Sequence, residues 1–143
     1  INMASFFSKK CEYGLQAVLY LASKGDDSLC SAEEISTKLN IPKEFTSKIL
    51  QDLTEKGIII SRKGRVGGFK LAVKGDQIRL IDTVEAIDGV DIFNNCVMGF
   101  KSCNSDKKCP LHNYWDEIIT KAYLMLSIET IDEYKDKTIC QPF

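Results

Sequence analysis

The sequence has no apolar run approaching the roughly 18 residues that a membrane-spanning helix requires, so no transmembrane segment is predicted. It has only three prolines and no repeat or low-complexity tract. Together with 44% hydrophobic and 27% charged residues, this excludes collagen-like, fibrous and disordered classes. The opening residues, INMASFFSKK, lack the basic, then apolar, then small-residue order of a secretory signal. A cytoplasmic chain is therefore expected, with Met3 as its candidate native start. There is a single histidine and no C-x2-C pair, which removes the tight knuckle usual in structural zinc sites. The net charge of −1 gives no global electrostatic signature, and 143 residues suffice for one hydrophobic core but not for two independent ones.

Charge is unevenly distributed, however. Residues 41–74 carry a net +5, which leaves −6 on the remainder of the chain. A basic patch on an otherwise acidic protein is the footprint of a phosphate-binding surface, although a solvated helix face has the same composition.

The hydrophobic pattern places helices around that patch. CEYGLQAVLYLAS, from Cys11 to Ser23, is apolar on nearly every side and predicts a helix buried in a core or an interface. SAEEISTKLN starts a short helix with a capping box, Ser31 and Glu34. In NIPKEFTSKILQDLTEKG, Pro42 suits a first helical position, Phe45, Ile49, Leu50 and Leu53 repeat at helical spacing, and Gly57 closes the helix. Two helices joined around Asn40 and Ile41 form a helix-turn-helix. Its second helix is expected to expose Lys43, Glu44, Thr46, Ser47, Lys48 and Gln51.

IIIS and FKLAV then flank RKGRVGG, a hairpin with a basic, glycine-rich tip. A helix-turn-helix followed at once by such a hairpin is a winged helix, in which a helix enters the major groove of double-stranded DNA and the wing reaches phosphates or the minor groove. Arg62, Lys63 and Arg65 are the wing candidates. Further on, LIDTVEAIDG predicts a short helix, and YWDEIITKAYLML aligns Trp115, Ile118, Ile119, Ala122 and Met125 or Leu126 in one stripe. Thr130 with Glu133 opens a last short helix. The long stripe needs a covering surface. A second copy is the simplest candidate, because a dimer pairs two half-sites of a palindromic operator.

Between these helices lies CVMGFKSCNSDKKCPLH, where Cys96, Cys103, Cys109 and His112 fall on one polar loop. Three soft thiolates there can converge on zinc or on an iron-sulfur cluster. A disulfide is disfavoured in a reducing compartment. A Cys109 and His112 nucleophile pair lacks an oxyanion donor and an orienting acid, so no enzyme is predicted. Three unrelated cysteines remain the bland reading.

IPKEFTSKILQDLTEKGIIISRKGRVGGFKLA, then IRLIDTVEAIDG, then a three-cysteine loop, resemble the Rrf-type family of bacterial transcription regulators, from SKKCEYGLQAVLYLA to IETIDEY. Its branches include an iron-sulfur regulator, a nitric-oxide sensor and a cysteine-metabolism repressor. The resemblance implies a mostly α fold with a small β-hairpin wing: a winged helix-turn-helix over residues 3–79, then a cluster loop and dimerisation helix over 80–143, packed as one domain with the first. It further implies a homodimer and a cluster on Cys96, Cys103 and Cys109, with a two-iron two-sulfur centre preferred and a four-iron four-sulfur centre also compatible.

Two positions match known fourth ligands of the family: His112, and Glu12, from which a carboxylate reaches across the dimer. His112 is preferred because a sequence-local ligand needs no assumption about docking. The family usually has Arg before the first wing glycine. Here that place is Lys63, a point charge and not a planar fork, which leaves Arg62 or Arg65 to substitute. Two cluster-free readings stay open: a winged helix controlled by thiol oxidation or a partner enzyme, and a zinc-stabilised interaction module.

Overall fold

Helix α1 (Lys9–Ser23) forms the middle of the molecule in the computed structural model, which describes residues 6–100 and 109–135. Ser8 caps its N-terminus, its Oγ accepting from the Cys11 N–H at 3.0 Å. Cys11, Gly14, Ala17, Val18, Leu21 and Ala22 are buried, and α1 packs against α2, α3, α4, α6 and the hairpin introduced below. Apolar residues on nearly every side of a helix require such surroundings. Gly14 lies directly beneath α4: a Cβ there would meet the Cδ1 methyl of Ile87 at 2.0 Å, so that side chain would have to move.

Helices α2 (Ala32–Leu39) and α3 (Lys43–Glu55) form the helix-turn-helix. Ser31 accepts the Glu34 N–H, one half of the expected capping box, while the Glu34 carboxylate accepts instead from the Tyr20 hydroxyl at 2.7 Å. The turn is built by Asn40 in the left-handed conformation, φ 53°. The Ile41 N–H bonds to the Ser36 carbonyl and the Asn40 N–H to that of Thr37, which satisfies carbonyls otherwise left open at the end of α2. Ser36 Oγ adds a 2.6 Å bond to the Ile41 carbonyl. Pro42 stands one position earlier than its sequence suggests. It is the N-cap, outside the first turn, and its carbonyl accepts the Thr46 N–H. Gly57, at φ 76°, ends α3 as expected, with the Ile58 N–H bonding back to Leu53.

Strands β1 (Ile59–Arg62) and β2 (Gly68–Leu71) pair antiparallel, Ile59 opposite Leu71 and Arg62 opposite Gly68. Cys30 exchanges two backbone hydrogen bonds with Phe69, tying the hairpin to the segment before α2. After a single 3-10 turn at Gly75–Gln77 come α4 (Leu80–Asp88), a second such turn at Asp91–Phe93, α5 (Leu111–Ile128) and the short α6 (Ile131–Tyr134). The chain after α5 returns to the start of α4: the Leu80 N–H bonds to the Glu129 carbonyl and the Ile131 N–H to that of Ile78. This buries Ile131 in the same core as Val18, Leu21, Ile35, Ile49, Leu50, Leu53 and Ile59. Cys11, Ile81, Val84 and Leu126 make a second cluster where α1, α4 and α5 meet.

The predicted stripe on α5 divides. Ile119 and Leu126 are buried and Trp115 and Ala122 half-buried against the body, whereas Ile118 and Met125 point away from it, 55% and 57% exposed. A helix apolar on two faces reads as one broad stripe when only its period is considered.

The left-handed turn sets how α2 meets α3, and this gives a stability prediction. Asn40→Gly should melt within about 1 kcal/mol of the wild type, because glycine adopts positive φ freely, whereas Asn40→Val should lose about 1–2 kcal/mol or more. Equilibrium urea unfolding measures both. Equal losses would contradict the turn assignment.

Candidate nucleic-acid interface and cysteine cavity

Helix α3 presents Lys43, Glu44, Ser47, Lys48 and Gln51 to solvent. Thr46 departs from expectation: it is 1% exposed. It lies at positions i, i+3, i+4 and i+7 with Ile49, Leu50 and Leu53, so it begins the buried stripe and does not face a groove. Its hydroxyl donates to the Pro42 carbonyl at 3.0 Å, which makes the burial of a polar group inexpensive. The same spacing was readable in the sequence, but threonine's polarity masked it.

Arg62, Lys63 and Arg65 are all exposed on the hairpin. The tip is a tight turn closed by the Gly67 N–H to the Gly64 carbonyl at 3.0 Å, with Arg65 and Val66 at its two central positions. None of Lys43, Lys48, Arg62, Lys63 and Arg65 pairs with a carboxylate among the described residues, which leaves these cations available to phosphates.

The second feature is a cavity of about 220 Å³ between the Asp91–Phe93 turn and the start of α5. Cys96 and His112 both line it, with Asn94, Asn95, Trp115 and Asp116. Sequence reasoning missed the asparagines and Asp116, which carry no motif and reach the cavity only because the loop folds against α5. The Trp115 indole N–H donates to the Asn95 carbonyl at 2.8 Å, anchoring the residue before Cys96 to the helix. Cys96 Sγ accepts the Met98 N–H at 3.4 Å, and the Cys96 carbonyl accepts that of Gly99. Cys109 is half-buried, its carbonyl accepting the His112 N–H at 3.0 Å. Cys103 lies outside the described residues, and among those described no three metal-ligating side chains are already gathered. Glu12 is on another element, in α1, where it pairs with Lys9 at 3.3 Å; it does not line the cavity of its own protomer.

Cys11 and Cys30 are a different kind of cysteine. Burial, reinforced by the nearby Asp88 carboxylate, pushes the Cys11 thiol up to about 12. Burial chiefly raises that of Cys30 as well. Both remain thiols at neutral pH and are poor metal ligands or nucleophiles.

A family model described as "Rrf2: Iron-dependent Transcriptional regulator" matches residues 7–135. The chain belongs to the Rrf2 family. A protein of Aquifex aeolicus (strain VF5) named "Putative HTH-type transcriptional regulator" is 33% identical over 114 residues, covering 78% of each chain. Among solved structures, CymR (YrzC), the global cysteine regulator of B. subtilis, superimposes with a TM-score of 0.79 at 21% identity, covering 95% of this chain and 99% of that one. T. potens IscR gives 0.74 at 19% identity, covering 98% and 92%. At those identities the structural likeness speaks for the fold, which is the Rrf2 winged helix. The protein is thus a DNA-binding transcriptional regulator of the Rrf2 family, and its relatives are regulators and not enzymes. No helix among the described residues is long and apolar enough to cross a membrane.

The cysteine environments of this Rrf2 protein predict a reactivity order. Burial keeps Cys11 a thiol at pH 8 and, with its side chain fully covered, out of a reagent's reach. Mass-mapped alkylation of the metal-free, reduced protein should label Cys96 and Cys109 before Cys11 and Cys30, which react once the fold is opened by denaturant. Rapid native labelling of Cys11 would refute the assignment.

Proposed function

We propose that this Rrf2 regulator is a homodimer whose two α3 helices read a palindromic operator and whose DNA affinity is set by an iron-sulfur cluster at the cysteine cavity. The single observation that carries the cluster reading is the meeting of Cys96 and His112 in one cavity, with Cys109 hydrogen-bonded to His112 through the backbone. The donor set fits such a group. Thiolates are its usual ligands, and a backbone N–H on Cys96 Sγ is the kind of hydrogen bond that tunes a cluster sulfur.

Cys96, Cys103 and Cys109 are the proposed thiolate ligands, and His112 is the proposed fourth, because it lines the same cavity. Glu12 remains a candidate only as a ligand from the partner protomer. A two-iron two-sulfur centre is the preferred form. When bound, the group supplies a centre that iron supply, oxidants or nitric oxide can alter. The chain's own part is to transmit the change. Trp115 joins the residue before Cys96 to α5, and α5 is the element that faces a second copy.

The dimer is supported by the outer face of α5. Leu111, Tyr114, Ile118, Met125 and Ile128 recur at spacings of three, four or seven residues and are all at least 48% exposed. This is the seam of a two-stranded helical interface, with Lys121 at the remaining position. The DNA surface comprises Lys43, Glu44, Ser47 and Lys48 on α3 for the major groove, with Arg62, Lys63 and Arg65 on the wing. Thr46 is buried and takes no part in that surface.

Anaerobic purification followed by visible absorption with iron and sulfide assay tests the cluster. The wild type should be coloured, His112→Ala should lose or shift the spectrum, and Glu12→Ala should leave it unchanged. The reverse pattern would move the fourth ligand to the partner's α1. A spectrum unchanged in both variants would remove both assignments. A colourless, iron-free wild type that binds DNA fully would overturn the cluster itself in favour of thiol or partner-enzyme control.

A further inference from the structure

The recognition helix has an electrostatic problem of its own. Within α3 the basic residues are Lys43 and Lys48 and the acidic ones Glu44, Asp52 and Glu55, so the element expected to approach phosphates is net negative. Asp52 is held by an ion pair with Lys10 in the first turn of α1, a contact between residues 42 positions apart. Both side chains are about three-quarters covered, at 25% and 28% exposure, so the pair is screened less than a surface pair. Around Lys10, the first turn of α1 is fastened elsewhere too. The Ser8 N–H donates to the Asp88 carboxylate at the end of α4 at 3.0 Å, and Ser8 Oγ donates to it as well. Just before the helix, the Phe6 ring lies 6.3 Å from both Phe93 and Trp115, two side chains that line the cysteine cavity.

We propose that Lys10 is a positioning residue for DNA binding: its ion pair with Asp52 fixes the recognition helix to the first turn of α1, whose approach is set at the wall of the cysteine cavity. The proposal rests on the DNA-binding reading but not on the presence of a cluster. Aromatic contacts at Phe6 fix where α1 begins, and Lys10 passes that placement to α3 one turn later.

The sign of one substitution separates positioning from simple charge. If Asp52 mattered only through its charge, Asp52→Asn would remove a negative group near the phosphates and tighten DNA binding. If the pair positions α3, Asp52→Asn must weaken binding although it makes the helix less negative. Duplexes selected by the wild-type protein from a random-sequence pool serve as the probe, with affinity read by fluorescence anisotropy at fixed salt. Lys10→Met and Asp52→Asn should each bind about tenfold more weakly, Lys10→Arg should bind within about twofold of the wild type, and the double exchange Lys10→Asp with Asp52→Lys should recover most of the loss. Thermal melts of the same proteins separate misfolding from mispositioning, since the loss must persist well below the melting temperature. Tighter or unchanged binding by Asp52→Asn overturns the positioning role while leaving the DNA-binding reading intact. A wild type that enriches no duplex, and shows no salt-sensitive binding, overturns both.

Discussion

Helix α1 must find partners around most of its circumference, and the rest of the molecule is arranged to supply them. Its apolar residues are buried against α2 and α3 on one side and α4 on another, with α6 and the hairpin closing the remainder. The approach of α4 is close enough that a Cβ at Gly14 would displace the Ile87 Cδ1 methyl. A recognition helix packed on such a hub is coupled to its placement, because protein interiors at crystal-like density transmit strain. The same helix reaches the second hydrophobic cluster, which gathers Cys11 with Ile81 and Val84 of α4 and Leu126 of α5. The DNA-reading half and the cysteine-bearing half therefore share one element and not merely a linker.

That sharing gives regulation a physical route. Coupling between two sites needs an element that both contact, and α1 is contacted by α3 on one side and, through α4 and α5, by the structure around the cavity on the other. Trp115 belongs to this arrangement: its ring is near Phe6 while its indole N–H holds the loop at Asn95. A change in how residues 95 and 96 are held thus bears on α5 and on the entry to α1 together. Differential DNA affinity of only about 1–3 kcal/mol between two such arrangements is a typical allosteric coupling.

Much of this was legible in the sequence. Ser31, Glu34, Pro42 and Gly57 marked the helix-turn-helix within one residue, because capping chemistry is local and needs no knowledge of the fold. The hairpin followed from β-branched residues around a glycine-rich tip. Thr46 is buried despite its polarity because helical position decides: it stands in the stripe with Ile49, Leu50 and Leu53. The two apolar faces of α5 were not separable by period, since the partners of each face lie far away in sequence. The same holds for Lys10 with Asp52 and for the asparagines that line the cavity: contacts between distant segments leave no pattern in either one. The three-cysteine loop was conspicuous throughout, but only the fold put His112 and Cys96 on the lining of one cavity and left Glu12 off it.

The state of the cysteine cavity is proposed to set DNA affinity. This is tested most directly by one preparation purified without oxygen, with its affinity for a selected duplex measured before iron chelation, after it, and after iron and sulfide are restored. A reversible change of about fivefold to more than a hundredfold is expected, the range of a typical coupling free energy. The same affinity in all three states would contradict it.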